Sequence, residues 1–315
     1  MAASESRVSP KMVSFRSVSM KRFWTRLRLT LDMIKFEHSV FALPFALTGA
    51  LLAWRDADFR IYGLAWRFCW IVVAMVSARS AAMAFNRILD AGIDSRNQRT
   101  AKRHLPAGLL SIQFAWGFTA ASAFIFLLAS RQLGMLCFVL APFVLALLFF
   151  YSFSKRFTMF SHLILGFCLG MAPAAAWIAL RGALDARILW LTAAVMFWTA
   201  GFDVIYACQD FEYDCAEGLC SIPRRFGVSN ALLIARALHV SMIICLFALV
   251  FSFHLGALSF AGVGAVVLLL IYEHGLVKPH DLSRVNAAFF TVNGYVSLLF
   301  FAFWAADILL HRGIL

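Results

Sequence analysis

A polar segment between two apolar runs carries oxygen side chains at the spacing of a metal site. Asn86, Asp90 and Asp94 follow one another at intervals of four residues. If the helix of the preceding apolar run continues through them, the amide and both carboxylates lie on one face, nearly above one another. Such oxygen ligands suit a hard cation such as Mg²⁺, which keeps several waters and takes further ligands from substrate phosphates.

Cationic side chains crowd the same segment, and a metal site alone does not explain them. They are Arg87, Arg96, Arg99, Lys102 and Arg103. An anion that is bound by metal ions and cations together would explain why both signs of charge occur here. The segment therefore predicts a site for a metal ion together with an anionic substrate.

A second acidic segment repeats the spacing. Tyr206, Asp210 and Asp214 again follow at intervals of four residues, and Asp210 comes 120 residues after Asp90. A repeat of this length indicates two related halves, each of which supplies one side of a central site. The pair Arg224–Arg225 adds positive charge close to this second segment.

Two charged residues lie deeper on the same faces. Arg79 precedes Asn86 by seven residues and Asp203 precedes Asp210 by seven, so each lies about two helical turns further into its apolar run. Charges inside a membrane are costly and normally face a cavity or each other, which makes both residues functional candidates. A purely structural ion pair between Arg79 and Asp203 is the alternative.

The composition predicts that membrane-spanning helices position these segments. Of 315 residues, 63% are hydrophobic and only 14% are charged, and the mean hydropathy is +0.83. Such a chain is too apolar for a soluble globule. We predict an all-α membrane protein of about nine transmembrane helices, in a bundle of two related halves around a central cavity. The apolar runs lie near residues 36–54, 63–85, 113–130, 134–151, 160–180, 187–205, 229–251, 254–273 and 289–309.

The distribution of basic residues predicts the orientation of the chain. The net charge is +12, but Lys and Arg are concentrated in short loops between apolar runs. This pattern follows the positive-inside rule and argues against nucleic acid as a partner. Residues 1–33 are predicted to form a basic cytoplasmic tail, and residues 34–315 a transmembrane domain whose acidic segments face the cytoplasm.

Cysteines and histidines show no metal-binding spacing. Several of the seven cysteines lie inside apolar runs, as expected of small core residues rather than of a disulfide framework. Four histidines lie apart near the ends of spans and are predicted to be membrane-interface residues. They are His38, His162, His239 and His254.

The two acidic segments resemble the signatures of the UbiA-type intramembrane aromatic prenyltransferases. That family carries N-x-x-x-D-x-x-x-D in its second-to-third loop and a later D-x-x-x-D. Asn86, Asp90 and Asp94 match the first signature, and Asp210 and Asp214 match the second.

Further segments extend the resemblance over nearly the whole chain. These include residues 151–155 (YSFSK) and 221–227 (SIPRRFG), while residues 34–44 and 103–108 look most like the bacterial 4-hydroxybenzoate polyprenyltransferase-like branch. The resemblance therefore implies a location in the bacterial inner membrane. Family members more often have proline at the position of His104, a departure that bears on the acceptor more than on the chemistry.

The resemblance implies transfer of a long prenyl chain from a polyprenyl diphosphate to the ring of an aromatic acid, in a helical bundle open sideways to the lipid bilayer. Asp90, Asp94, Asp210 and Asp214 would bind two Mg²⁺ ions. A tyrosine face such as that of Tyr151 would stabilise the allylic cation by cation–π attraction of about 0.5–2 kcal/mol. The residues expected to bind substrate are Asn86, Arg99, Arg103, Tyr151, Lys155, Tyr206 and Arg225, with Arg79 and Asp203 as further catalytic candidates.

Two other interpretations remain open from the sequence. A secondary transporter would also show paired halves and intramembrane charges, although such charges are expected at the bilayer midplane rather than at helix ends. A related enzyme could instead use a dihydroxynaphthoate acceptor, or make haem O, chlorophyll or a phosphoribosyl lipid.

Overall fold

The computed structural model describes the backbone of residues 15–35 and 39–310, and the side chains of 24–35 and 42–310. Apart from an isolated bridge between Lys278 and Asp281, the regular structure in these ranges is helical. The helices are α1 (Phe15–Met33), α2 (Ser39–Asp56), α3 (Leu64–Asp94), α4 (Ile112–Leu133), α5 (Met135–Ser154), α6 (Ser161–Arg181), α7 (Leu189–Ala207), α8 (Phe211–Glu217), α9 (Ile222–Ser252), α10 (Ala257–Leu276) and α11 (Asn293–Leu310).

Within the described residues, eight helices are long and apolar enough to cross a membrane. They correspond to eight of the nine predicted spans, beginning with α3. Within the described residues, the first predicted span, 36–54, corresponds to α2 from Ser39 onward, and α2 has charged residues at its end, Arg55 and Asp56. Phe45 and Leu52 of α2 are completely buried, so this helix lies inside the bundle. The predicted all-α membrane protein is confirmed.

The segment predicted to be a basic tail ends in contact with the bundle. Its last helix, α1, runs to Met33, and both Met33 and Ile34 are buried in a cluster with Ala84 of α3 and Leu105 of the following loop. Arg87 Nε also donates a hydrogen bond to the Met33 carbonyl at 3.2 Å. The end of α1 is therefore fixed beside the first acidic segment.

Close packing joins α6 to α7. Gly166 and Gly170 lie one turn apart on α6, and their Cα atoms face the backbone of α7. A Cβ atom at Gly166 would collide with the Met196 carbonyl oxygen, and one at Gly170 would lie 2.6 Å from the Thr192 carbonyl oxygen. Since real side chains do not tolerate such distances, glycine permits this approach. Helices α6 and α7 are therefore held in close contact along this face.

A buried polar chain links α7, α10 and a π-helix at Ala287–Val292. Trp198 Nε1 donates to Asn293 Oδ1, and Asn293 Nδ2 donates to Glu273 Oε1, both at 2.7 Å. The same amide donates to the Ala288 carbonyl in the π-helix at 3.2 Å, and this extra donor helps to hold the wide turn. Phe289 of that turn packs its ring 4.3 Å from the ring of Tyr206.

The predicted positions of the histidines are partly wrong. His239 is buried, with Nδ1 3.0 Å from His274 Nε2 and Nε2 3.3 Å from the Trp198 carbonyl. Packing of α9 against α7 and α10 removes it from the membrane interface. His254 is exposed in the turn after α9, as predicted, and His38 lies outside the described residues. His162 is buried in the candidate site described below.

Candidate active site

A polar cavity of about 190 Å³ lies where the ends of α3, α5 and α7 meet the starts of α6 and α9. Both acidic segments face this cavity, so Asp90 and Asp210, which are 120 residues apart in the sequence, line the same space. Its charged and polar lining includes Asn86, Arg87, Asp90, Asp94, Asn97, Arg99, Arg103, Tyr151, Lys155, His162, Asp203, Tyr206, Asp210, Tyr213, Asp214 and Ser221.

The first acidic segment is the end of α3, as the spacing predicts. Asp90 and Asp94 are almost completely buried. Lys155, the residue after α5, places Nζ 2.5 Å from Asp90 Oδ2, and Arg103 Nη1 lies 2.7 Å from both oxygens of Asp94. Burial without a counter-charge would strongly disfavour these carboxylates, so the two cations stabilise them.

The second acidic segment is less regular than predicted. α7 ends at Ala207, and a 3₁₀ turn, Cys208–Asp210, separates it from α8. Asp210 nevertheless faces the cavity and pairs with Arg99 from the other half, with Nε–Oδ1 at 2.9 Å and Nη2–Oδ2 at 2.5 Å. Burial alone would lower the pKa of Arg99, but its hydrogen bonds to Asp210 and Tyr206 raise that pKa above the usual value.

Asp214 completes the set of four carboxylates. It is buried on α8 and accepts a hydrogen bond from Ser221 Oγ at 2.7 Å. Ser221 is also the N-cap of α9, because its Oγ accepts from the Arg224 backbone N–H at 3.3 Å. The start of α9 is therefore tied directly to the fourth carboxylate.

The donor set fits divalent metal ions that also bind a substrate phosphate. Among the described residues no three acidic, His or Cys side chains converge closely enough to hold an ion by themselves. However, Oδ1 of Asp90 is buried without a hydrogen-bond partner, and all four carboxylates face one cavity. Mg²⁺ binds through one or two carboxylates plus water and phosphate oxygens, so this arrangement suits it.

The alternative interpretation of Arg79 and Asp203 as a structural ion pair is wrong. Asp203 lies in the polar cavity and its Oδ2 is 2.7 Å from Nδ1 of His162, which begins the first turn of α6. Arg79 makes no hydrogen bond or ion pair with any described residue, and its Nε is buried. Arg79 and Asp203 lie at a similar depth but on different walls of the bundle. Because α6 lies beside α7, His162 of α6 is the nearer partner of Asp203.

Arg79 instead lines a second, apolar cavity of about 520 Å³ between α3, α4, α5 and α6. Asn86 and Tyr151 line both cavities, so the apolar space begins where the polar site ends. Lining residues extend along α3 from Asn86 to Ile71, a length of about 22 Å. Exposed side chains such as Phe143, which is 71% exposed, belong to its wall and place it next to lipid.

Every predicted site residue lines one of the two cavities except Arg225. It is exposed in the first turn of α9, where the cap at Ser221 directs the helix away from the cavity. Of the other predicted cations, Arg96 pairs with Glu217 at 3.0 Å with 61% of its side chain exposed, and Lys102 is exposed. Sequence reasoning missed His162 and Ser221, because their partners are distant and no local spacing marks them.

The fold and both cavities define a helical membrane protein in which a charged cavity continues into an apolar one. The sequence model of the UbiA prenyltransferase family matches residues 42–305. The chain belongs to this family and is a prenyltransferase. A 4-hydroxybenzoate octaprenyltransferase of Pseudoalteromonas atlantica is 31% identical over 236 residues, covering 74% of this chain and 81% of the relative.

Solved structures show the same fold. The apo structure of a UbiA homologue from Aeropyrum pernix K1 superposes with a TM-score of 0.77 at 33% identity, covering 86% of this chain and 98% of that one. A UbiA homologue from Archaeoglobus fulgidus, bound to DMAPP and Mg²⁺, superposes with a TM-score of 0.68 at 17% identity, covering 89% and 98%. At that identity the second likeness concerns the fold alone.

Proposed function

We propose that this protein transfers a polyprenyl group from a polyprenyl diphosphate to the ring of an aromatic acid such as 4-hydroxybenzoate, in quinone biosynthesis. One observation carries the proposal: a polar cavity with four aspartates and several cations continues, at Asn86 and Tyr151, into an apolar cavity. That shape matches a diphosphate joined to a hydrocarbon chain. The name of the Pseudoalteromonas relative supports the type of acceptor.

The diphosphate would lie in the polar cavity. Asp90, Asp94, Asp210 and Asp214 would hold Mg²⁺, which when bound neutralises the charge of the diphosphate leaving group. Lys155, Arg99 and Arg103 can donate charge-assisted hydrogen bonds to its oxygens. The cations of the loop after α3 would thus bind the substrate as well as pair with the carboxylates.

The prenyl chain would extend from the junction of the cavities into the apolar one. The allylic carbon then lies near Asn86 and Tyr151, where a tyrosine ring can face the developing cation and stabilise it by about 0.5–2 kcal/mol. The surrounding apolar wall excludes water, which would otherwise capture the cation.

The aromatic acid would approach the same carbon from the apolar side. Arg79 has no partner among the described residues and offers a guanidinium with a buried Nε to the acid's carboxylate. Asp203 lies in the polar cavity next to the junction and is suited to accept the ring proton. After the ring carbon has attacked the allylic carbon, it still carries its hydrogen. A base must then remove this proton to restore the aromatic ring.

We infer that the polar cavity faces the cytoplasm from a bacterial inner membrane, an orientation that the basic loops support through the positive-inside rule. The cavity is formed by the same loops, which carry Arg99, Arg103 and Lys155. A charged donor and acceptor supplied from the cytoplasm would then reach the site without crossing the bilayer.

The test is a purified-enzyme assay with one polyprenyl diphosphate, Mg²⁺ and a panel of aromatic acids that includes 4-hydroxybenzoate and a dihydroxynaphthoate. Mass spectrometry should detect a prenylated acid and free diphosphate in equal amounts, and both should vanish when a chelator removes Mg²⁺ and return when Mg²⁺ is restored. Diphosphate release without any prenylated acid across the panel would contradict an aromatic acceptor. No metal-dependent release at all would contradict the whole proposal.

A further inference from the structure

His162 and Asp203 form a buried pair inside the polar cavity. Nδ1 of His162 lies 2.7 Å from Oδ2 of Asp203, and the His162 side chain is only 5% exposed. The Asp203 side chain is 20% exposed, so the aspartate faces the cavity space while the histidine lies behind it. Neither residue bonds to the four aspartates or to the three cations that pair with them.

The start of α9 fixes the role of each histidine nitrogen. The backbone N–H of Ile222, the first residue of α9, donates to His162 Nε2 at 3.5 Å. Nε2 must therefore be the acceptor, which leaves the hydrogen on Nδ1, where it donates to Asp203.

This arrangement leaves one oxygen of Asp203 available. Oδ2 accepts from His162, whereas Oδ1 makes no hydrogen bond with any described residue. The rigid contact of α6 with α7 at Gly166 and Gly170 sets the distance between the two side chains. A single hydrogen bond on Oδ2 therefore determines how Oδ1 points into the cavity.

We propose that His162 is a positioning residue that holds Asp203 as the proton acceptor of the transfer reaction. The inference rests on the proposed function. In the step concerned, a bond forms between a ring carbon of the acid and the allylic carbon, while the allylic C–O bond breaks and its electron pair leaves with the diphosphate. Asp203 Oδ1 then takes the proton from the attacked ring carbon, and the C–H electron pair restores the aromatic ring.

Two substitutions of His162 separate this role from packing. In His162→Asn the amide nitrogen replaces Nδ1 and can still donate to Asp203, whereas in His162→Gln it replaces Nε2 and the donor to Asp203 is lost. We expect His162→Gln to lower kcat by about 10- to 100-fold, as loss of an orienting partner does elsewhere. The KM for the prenyl diphosphate should stay within about twofold, and His162→Asn should keep most of the wild-type kcat.

A double mutant tests whether His162 acts through Asp203. In an Asp203→Asn background, His162→Gln should cause no further loss of kcat, since the base is already absent. Thermal midpoints of all variants report folding independently. Equal losses in His162→Asn and His162→Gln, wild-type kcat in His162→Gln, or additive losses in the double mutant would each overturn the inference. A wild-type enzyme that prenylates no acid of the panel would instead contradict the proposed function, so the two failures are distinct.

Discussion

Nζ of Lys155 lies 2.5 Å from Oδ2 of Asp90, so the cation after α5 is bonded to the first carboxylate at the end of α3. Oδ1 of the same aspartate is buried without a hydrogen bond. Oδ2 of Asp90 thus bonds to Lys155, while Oδ1 lies 3.8 Å from Nη2 of Arg156, accepts no hydrogen bond and is the oxygen that we expect to bind a metal ion. This division of roles within one side chain underlies the first two predictions.

Lys155→Ala should raise the KM for the prenyl diphosphate by about 10- to 100-fold, because a hydrogen bond between charged groups contributes roughly 1.5–3 kcal/mol. The KM for the aromatic acid should change far less. Steady-state kinetics with each substrate varied in turn measure both values. Lys102→Ala is the matched control, since Lys102 is an exposed lysine that does not line the polar cavity. Equal changes in both KM values would indicate a structural role for Lys155.

Asp90→Asn and Asp210→Asn should each abolish turnover, with a loss of about a thousandfold or more, because each removes several kcal/mol of metal-mediated charge stabilisation. The substitutions keep the shape of the side chain, so the thermal midpoint should indicate a folded protein. Asp58→Asn, at an exposed position outside the site, is the control for loss of one negative charge. Near-normal activity of either site variant at saturating Mg²⁺ would contradict metal binding by both acidic segments.

Arg79→Met should stabilise the protein and impair it at the same time. A buried donor without a partner costs about 1–3 kcal/mol, so its removal should raise the thermal midpoint, while the KM for the aromatic acid rises and donor binding is unchanged. Thermal melts and kinetics on one preparation measure both effects. A structural ion pair predicts the opposite, namely a loss of about 3–5 kcal/mol in the single variant and recovery of turnover in Arg79→Leu combined with Asp203→Leu.

Gly166→Ala should destabilise the protein because its Cβ would collide with the Met196 carbonyl oxygen of α7. Overpacking of this kind costs about 1–3 kcal/mol. Gly264→Ala in α10 is the matched control, since nothing lies within 4 Å of a Cβ placed there, and it should be neutral or slightly stabilising. Thermal midpoints of the two variants decide the matter, and equal values would show that the α6–α7 contact tolerates separation.

The sequence alone predicts which residues share one face of a single helix. Asn86, Asp90 and Asp94 share a face because α3 continues to Asp94, and a spacing of four residues defines that face wherever a helix persists. The second segment shows the limit of the rule. Asp210 reaches the same cavity although a 3₁₀ turn interrupts the helix before it, so its position depends on the turn as well as the spacing.

Pairings between helices could not be predicted in this way. Arg99 pairs with Asp210 across 111 residues and His162 with Asp203 across 41, and such distances depend on how closely two helices pack. The alternative of an ion pair between Arg79 and Asp203 failed for this reason, because equal depth along two helices does not place two side chains on adjoining walls. The position of Arg225 likewise depends on the direction in which α9 begins.

The three ion pairs of the polar cavity also determine how its ligands affect one another. Asp90, Asp94 and Asp210 share their negative charge with Lys155, Arg103 and Arg99, respectively. A metal ion that took a carboxylate oxygen would weaken the hold of that carboxylate on its cation, and the cation would become available to a phosphate. We therefore expect metal and diphosphate to favour each other's binding, and thermodynamic linkage requires that each would raise the affinity of the other by the same factor.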